Sequence, residues 1–285
     1  MSSDTNSGGN PLSKFFRQPA IYVGLPSGGR FWADGALNMP ENQELPVYPM
    51  TSKDEITLRT PDALLNGQGV VDVIQSCMPN IRDAWKIPSV DVDSILISLR
   101  IASYGHSMDF DNTCPHCKEQ HTYGMDLRQL MGGIRCPDYD EPVRASRLEI
   151  RFRPQNYFEV NKTNQINFET AKLNEAIAQL PDSDEKVGQA MMQLERLIGL
   201  NQEVMAGSTD SITLTDTGTV VDDHQFILEF YQNIDAKLFN EIQQKLLEKN
   251  EVSSIKPVPV TCPSCEGLIN LTILFDYANF FVVGS

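Results

Sequence analysis

The stretches Cys114-Pro115-His116-Cys117 and Cys262-Pro263-Ser264-Cys265 carry the same C-P-x-C pattern. Such a knuckle bends the backbone so that two thiolates point at one ion, and two knuckles supply the four ligands of a tetrahedral zinc site. An ordinary zinc ribbon separates its knuckles by about 15 to 20 residues, whereas 144 residues lie between Cys117 and Cys262. The pattern therefore predicts a structural Zn²⁺ that clasps two distant parts of the chain.

The ligand set allows alternatives. Four thiolates leave no open coordination position for water, so a structural site is favoured over a catalytic one. His121 or Cys136 could replace one of the thiolates, and His121 would then give a Cys₃His site. Iron accepts similar ligands, which leaves zinc versus iron open. If Cys77 and Cys136 bind no metal, we expect them to be structural residues.

Composition narrows the class of protein. The chain has 285 residues, 41% of them hydrophobic, which suffices for one large domain or two ordinary ones. It contains no run of 18 apolar residues and no signal-peptide pattern, so we expect no membrane partner and reduced thiols in a cytosol. A net charge of −15 disfavours binding to a phosphate backbone. A nucleic-acid-binding zinc-ribbon cofactor is therefore only a further alternative.

Four segments and an α+β fold class follow from the patterning. Residues 1–50 are rich in polar residues, Pro and Gly and are predicted to form an extended N-terminal arm. Residues 51–135 form an α+β region of short helices and strands with the first knuckle. Residues 136–255 are a mostly helical insertion, and residues 256–285 hold the second knuckle and a C-terminal strand or tail. The zinc-ribbon-like unit would then be assembled from its two distant knuckles.

Periodic apolar residues and turn residues predict the individual elements. In the N-terminal half we expect helices over 61–67, over 70–78 and from Asp91 or Asp93 to Gly105, and a hairpin of 108–112 with 122–125. In the remainder we expect a strand and the start of a helix within 145–158, a helical pattern from residue 168, a hairpin of 211–214 with 219–221 or a flexible loop there, helices behind Asp222 and Asp235, and a strand over 268–275.

One helix of the insertion carries an apolar stripe. Val187, Met191, Leu194 and Ile198 recur on one face behind Asp182, which is predicted to cap the helix. Stripes of this kind more often pack in a core than bind a partner. We therefore predict that this face is buried.

Motifs of common enzyme classes are absent from the sequence. It has no phosphate-binding glycine loop, no G-x-S-x-G elbow, no H-E-x-x-H pair and no EF-hand loop. With no catalytic constellation in view, the chain is predicted not to be an enzyme.

Four fragments, taken together, resemble a known family. The fragments are Leu25-Pro26-Ser27-Gly28-Gly29-Arg30-Phe31, then Tyr48-Pro49-Met50-Thr51 with Asp54-Glu55 and Leu58, then Leu99-Arg100-Ile101-Ala102-Ser103-Tyr104-Gly105, and Cys114-Pro115-His116-Cys117. They cover about residues 20–135 in the family's order, and through them the chain resembles the T4-type bacteriophage baseplate hub and hub-assembly proteins of contractile-tailed phages.

The resemblance implies a structural component of the virion's tail baseplate, in its hub region, that is assembled in the host cytoplasm. Its partners would be other tail proteins, such as the hub, the tube-initiating ring, the tape measure or wedge subunits, and several copies would occupy a symmetric assembly. We expect residues 1–45 and 276–285 to contact these partners. The resemblance leaves one alternative, a transient assembly factor that is absent from the mature virion.

Overall fold

The computed structural model describes residues 10–60, 67–179 and 183–272. This part of the chain holds eight α-helices and ten β-strands in small sheets, which confirms the α+β fold class. The predicted helix over 61–67, the capping residue Asp182 and the C-terminal tail from residue 273 lie at least partly outside the described residues. The helices are α1 (Ser52–Leu58), α2 (Gln68–Cys77), α3 (Ser89–Tyr104), α4 (Leu127–Gly133), α5 (Tyr157–Ala178), α6 (Asp184–Gly207), α7 (His224–Asn233) and α8 (Ala236–Asn250). The strands are β1 (Ile21–Val23), β2 (Leu45–Val47), β3 (Ser107–Thr113), β4 (Gln120–Asp126), β5 (Val143–Ala145), β6 (Leu148–Phe152), β7 (Thr209–Leu214), β8 (Val220–Val221), β9 (Val258–Thr261) and β10 (Leu268–Leu271).

A first core surrounds α3. Ile95, Leu96 and Ile97 are three consecutive residues of this helix, and all three are fully buried. Because consecutive residues of a helix point in different directions, the helix is covered on more than one face. The antiparallel pair β1–β2 adds Val23 and Val47 to the same core. Residues 21–47 therefore contain two short strands, which pack against the helices of the first core.

The turn between the two halves of the predicted arm is tied to α3 by a buried carboxylate. Asp91 accepts hydrogen bonds from Ser27 N at 2.8 Å, from Ser27 Oγ at 2.6 Å and from Trp32 Nε1 at 2.9 Å. Gly28 and Gly29 reach φ values of 63° and 83°, which L-residues rarely adopt, and so permit the turn. Burial raises the pKa of Asp91, and the three hydrogen bonds oppose that rise.

Asp91 is not the cap of α3. The helix starts at Ser89, with Pro88 at the N-cap position, so the prediction of a start after Asp91 or Asp93 is wrong by a few residues. The reason is tertiary. The Asp91 carboxylate accepts its hydrogen bonds from Ser27 and Trp32. It therefore does not cap the N–H groups at the start of its own helix.

Arg17 fixes the chain just before β1. Its guanidinium donates to Pro49 O at 2.9 Å, to Ser76 O at 2.7 Å and to Asp54 Oδ2 at 3.3 Å. Burial raises the pKa of Asp54, but the hydrogen bonds from Thr51 and Ser76 and the charge of Arg17 outweigh it and leave the pKa below its ordinary value. One side chain thus joins the N-terminal segment to α1 and α2.

We expect Arg17→Ala to lower the free energy of unfolding by about 2 kcal/mol at pH 7, because it removes charge-assisted hydrogen bonds from a nearly buried carboxylate. The loss should shrink below about pH 4, since protonated Asp54 no longer attracts a cation. Urea unfolding at both pH values measures this. The matched control is Arg30→Ala, whose ion pair with Asp140 is exposed on both sides and should cost under about 0.5 kcal/mol. Equal losses in the two variants would contradict the anchoring role.

A second core lies under a four-stranded antiparallel sheet in the order β5-β6-β7-β8. Ile150 and Ile212 of the sheet pack with Ile227 and Tyr231 of α7, and the Tyr231 hydroxyl lies 2.9 Å from Thr209 Oγ1. The predicted hairpin of 211–214 with 219–221 is confirmed.

The helices around the second core mostly follow the sequence pattern. The helix behind Asp235 is confirmed as α8, with Asp235 accepting from the N–H groups of its first turn. The preceding helix, α7, is capped by Asp223 instead of Asp222. The predicted strand and helix start within 145–158 are confirmed by β6 and by α5, which begins at Tyr157 behind a capping box of Asn156 and Glu159. The helical pattern from residue 168 is the continuation of the same helix.

The apolar stripe on α6 differs from its prediction. Val187, Met191, Leu194 and Ile198 are each 48 to 62% exposed, so the prediction that they are buried is wrong. The described elements leave this face of α6 uncovered. None of the described helices is long and apolar enough to span a bilayer.

Candidate metal centre

Two β-hairpins carry the knuckles at their tips. Strands β3 and β4 pair antiparallel from Ser107↔Asp126 to Thr113↔Gln120, which confirms the predicted first hairpin. Strands β9 and β10 pair from Leu268↔Thr261, so the second knuckle is also the tip of a hairpin. Strand geometry therefore positions both knuckles.

Local hydrogen bonds shape the first knuckle. Cys114 N donates to Glu119 O at 2.8 Å, and Lys118 N donates to Cys114 O at 2.9 Å. Lys118 adopts a φ of 66°, in the left-handed region. The chain thereby reverses within six residues and turns both cysteines to one side.

The second knuckle repeats this pattern position by position. Cys262 N donates to Gly267 O at 2.9 Å, and Glu266 N donates to Cys262 O at 2.9 Å. Glu266 adopts a φ of 57° and so matches the left-handed residue of the first knuckle. Two stretches far apart in the chain thus form the same local structure.

The structure brings the four predicted cysteines together. Their Sγ atoms all lie within 4.8 Å of one another. The distance from Cys114 Sγ to Cys265 Sγ is 3.7 Å, and that from Cys117 Sγ to Cys262 Sγ is also 3.7 Å. A regular tetrahedron with Zn–S bonds of about 2.3 Å has S···S edges of about 3.8 Å. The arrangement of the thiols therefore fits a tetrahedral metal ion.

The backbone favours a thiolate in the first knuckle. The N–H of Cys117, joined by that of His116, lowers the pKa of the Cys114 thiol to about 6 although burial raises it. The N–H of Glu119 lowers the pKa of Cys117, but burial and hydrogen bonds with the other three thiols raise it to about 12. Several thiolates in one small space repel one another, and a divalent cation would relieve that repulsion.

His121 and Cys136, the two alternative ligands, lie in different parts of the structure. His121 lies beside the cluster, with Nε2 at 3.2 Å from Ser264 Oγ, and its ring nitrogen lies within 4.8 Å of the ligand atoms of Cys117 and Glu119. Cys136 instead packs against the second core, and its thiol contacts Pro137 O at 3.4 Å. Of the two alternatives, only His121 is near the thiols.

A groove of about 320 Å³ also brings several ionisable groups together. It is lined by Glu159, Lys162, Glu203 and His224, among others. Glu159 is already engaged, since it forms an ion pair with Arg153 at 2.9 Å and caps α5. The groove therefore gives a catalytic hypothesis no specific support.

Comparison with known proteins finds one family whose model covers most of the chain. A model of the family described as T4 bacteriophage base plate protein matches residues 33–282, a range that contains both knuckles and most of both cores. The chain belongs to this family and is a T4-type phage baseplate protein. No curated protein and no solved structure matches it. A baseplate family points to a non-enzymatic role and to contacts with other phage tail proteins in the virion.

Proposed function

We propose that the chain is a permanent structural subunit of the hub region of a contractile-tail baseplate. A zinc ion held by Cys114, Cys117, Cys262 and Cys265 would clasp its C-terminal hairpin to the β3–β4 hairpin. The observation that carries the proposal is the close approach of the four thiols, with two S···S distances of 3.7 Å, in a chain of the baseplate family.

The proposed zinc ion would offset the conformational entropy that is lost when the two distant hairpins come together. Val258 and Leu271 of the second hairpin pack against the first core, although they follow the first knuckle by well over a hundred residues. Closing so long a loop costs conformational entropy. A structural zinc site contributes on the order of 10 kcal/mol of apparent binding free energy, which outweighs that cost. The metal would supply stability and no chemistry, since four thiolates leave no position for a substrate.

The N-terminal segment is the first candidate for partner contacts. Leu12, Phe15 and Phe16 are 58 to 74% exposed, and Arg17 holds the chain directly behind them. Three large apolar side chains presented from an anchored segment suit a neighbouring subunit. This supports the proposal that residues 1–45 contact tail proteins. Residues 276–285, the second proposed contact segment, lie outside the described residues.

Peptide counting in purified virions tests the structural role. The amount of this chain is normalised to a tail protein of known copy number. A small fixed ratio supports a permanent subunit present in several copies. Absence from virions, together with presence in infected-cell lysate, would contradict it and would indicate the alternative, a transient assembly factor.

A third class, the nucleic-acid-binding zinc ribbon, predicts a different result. Binding to nucleic acid would weaken steeply with salt because of counterion release. For a chain of net charge −15 we expect no measurable binding and hence no such slope.

We expect Gly267→Ala to weaken zinc binding about tenfold, as disturbances next to a metal ligand commonly do. A Cβ at this position would lie 2.9 Å from His116 Cδ2 and 3.3 Å from Cys265 Sγ. The His116 ring is exposed and can move, but the sulfur belongs to the cluster. Competition with a zinc-binding dye measures the affinity. Gly132→Ala is the control, because a Cβ there meets no atom within 4 Å. Unchanged affinity in Gly267→Ala would contradict the proposed ligand geometry.

A further inference from the structure

Helix α6 presents its apolar residues to solvent. Val187, Met191, Leu194 and Ile198 follow one another at spacings of four, three and four residues, which is the spacing of a coiled-coil seam. Their exposed fractions are 59, 62, 58 and 48%. We call these four residues the α6 stripe. It spans about three helical turns, or roughly 16 Å.

The opposite side of α6, which faces α5, is partly polar. Arg196 and Glu169 form an ion pair at 3.1 Å that joins the two helices. Thr170 Oγ1 of α5 and Gln193 Oε1 of α6 are buried without a hydrogen-bond partner among the described residues. The helix pair therefore buries polar atoms while its apolar stripe is exposed. This inversion indicates that the stripe has a partner outside the described fold.

We propose that the partner is a second copy of this chain, whose α6 packs antiparallel against the first. A twofold interface must be self-complementary, and the stripe meets this condition. With its centre between Met191 and Leu194, antiparallel pairing places Val187 against Ile198 and Met191 against Leu194 of the second copy. Each pair joins side chains of similar size, and the dipoles of the two helices oppose each other favourably.

Charge and space agree with this register. Of the residues that flank the stripe, Glu195 would lie beside Gly188 of the second copy, and a Cβ at Gly188 meets no atom within 4 Å. Arg196 lies on the opposite side of α6, in its ion pair with Glu169, and does not border the stripe. The four residues of the stripe itself carry no charge, so two copies of this acidic chain can approach there without bringing like charges into contact.

The area indicates a weak dimer. Four side chains about half exposed offer on the order of 400 Å² of apolar surface per copy, against about 800 Å² in a standard stable interface. We expect a dissociation constant in the range of roughly 10 to 100 µM for the free protein. Such a contact becomes populated where an assembly holds several copies close together. The inference does not depend on the zinc site, and loss of zinc would leave it untouched.

Sedimentation equilibrium of the full chain tests the dimer. We expect association that increases with concentration up to a few hundred µM and at least a tenfold weaker association in Leu194→Glu. The control is Ile56→Glu, because Ile56 is 67% exposed on α1, away from the stripe; it should associate like the wild type. Circular dichroism checks that both variants are folded. A wild type that stays monomeric, or a Leu194→Glu variant that associates normally, would overturn the proposal. A monomeric wild type would indicate that another tail protein covers the α6 stripe.

Cross-linking tests the orientation. Val187→Cys and Ile198→Cys proteins are mixed and mildly oxidised, with the unmutated chain as control for its native cysteines. We expect more disulfide-linked dimer in the mixture than in either variant alone. Efficient linking of Val187→Cys with itself would overturn the antiparallel arrangement.

Discussion

Cys114→Ser is expected to abolish stoichiometric zinc binding and to unfold the paired hairpins at 37 °C. Loss of one of four thiolates opens the tetrahedron and leaves the remaining thiols, among them the buried Cys262, without the cation that would stabilise their charged forms. The apparent contribution of such a site is on the order of 10 kcal/mol, comparable to the total stability of a domain. Elemental analysis of the purified chain and urea unfolding measure the two effects.

Matched variants make this result specific. Cys262→Ser should cause the same loss, because both buried cysteines would serve one ion. Cys136→Ser, which changes a cysteine outside the cluster, should keep one zinc per chain. If Cys114→Ser and Cys262→Ser both fold and bind zinc like the wild type, the clasp does not exist. If only one of them loses zinc, the four thiols do not share one site.

Asp91→Ala should lower the free energy of unfolding by about 3 to 4 kcal/mol. The substitution removes the acceptor of three hydrogen bonds and leaves the N–H and hydroxyl of Ser27 and the indole N–H of Trp32 without it. Ser27 and Asp91 are almost fully buried, and unsatisfied buried polar groups each cost about 1 to 3 kcal/mol. Urea unfolding gives the free energy.

A double-mutant cycle isolates this contact. Ser27→Ala alone should cost about 1 to 2 kcal/mol, and its effect should become much smaller in the Asp91→Ala background. Asp72→Ala serves as the control, since Asp72 is an exposed residue whose side chain accepts a hydrogen bond from Gln68. A loss below about 0.5 kcal/mol for Asp91→Ala would show that the turn at residues 25–32 is held by other contacts.

The Asp91 contact also gives a structural role to the Leu25–Phe31 fragment, one of the four fragments that carry the family resemblance. The serine and the two glycines have structural tasks, since Ser27 reaches Asp91 while Gly28 and Gly29 turn the chain towards Trp32. From the sequence alone this fragment indicated only a turn. The hydrogen-bond partner of Ser27 lies 64 residues further along the chain. The residues around the turn contain no information about which distant residue they contact.

Local chemistry was enough for several features. The spacing Cys114-x-x-Cys117 and its repeat at Cys262 indicated two thiol-bearing turns, because a knuckle is closed by hydrogen bonds within six residues. The hairpin around the first knuckle and the helix behind Asp235 followed from alternation and capping, which also act over short distances. The sequence of this chain therefore determined its α+β class, its candidate ligands and its family resemblance.

Only the tertiary structure decided which of these pieces meet. It brought the four thiols to within 4.8 Å of one another across an intervening stretch of 144 residues, and it left the α6 stripe exposed where periodicity had predicted a core. Periodicity shows that a helix has an apolar face, but not whether another element is available to cover it. Long-range packing depends on the positions of all elements together, and that information is not contained in any short stretch of the chain.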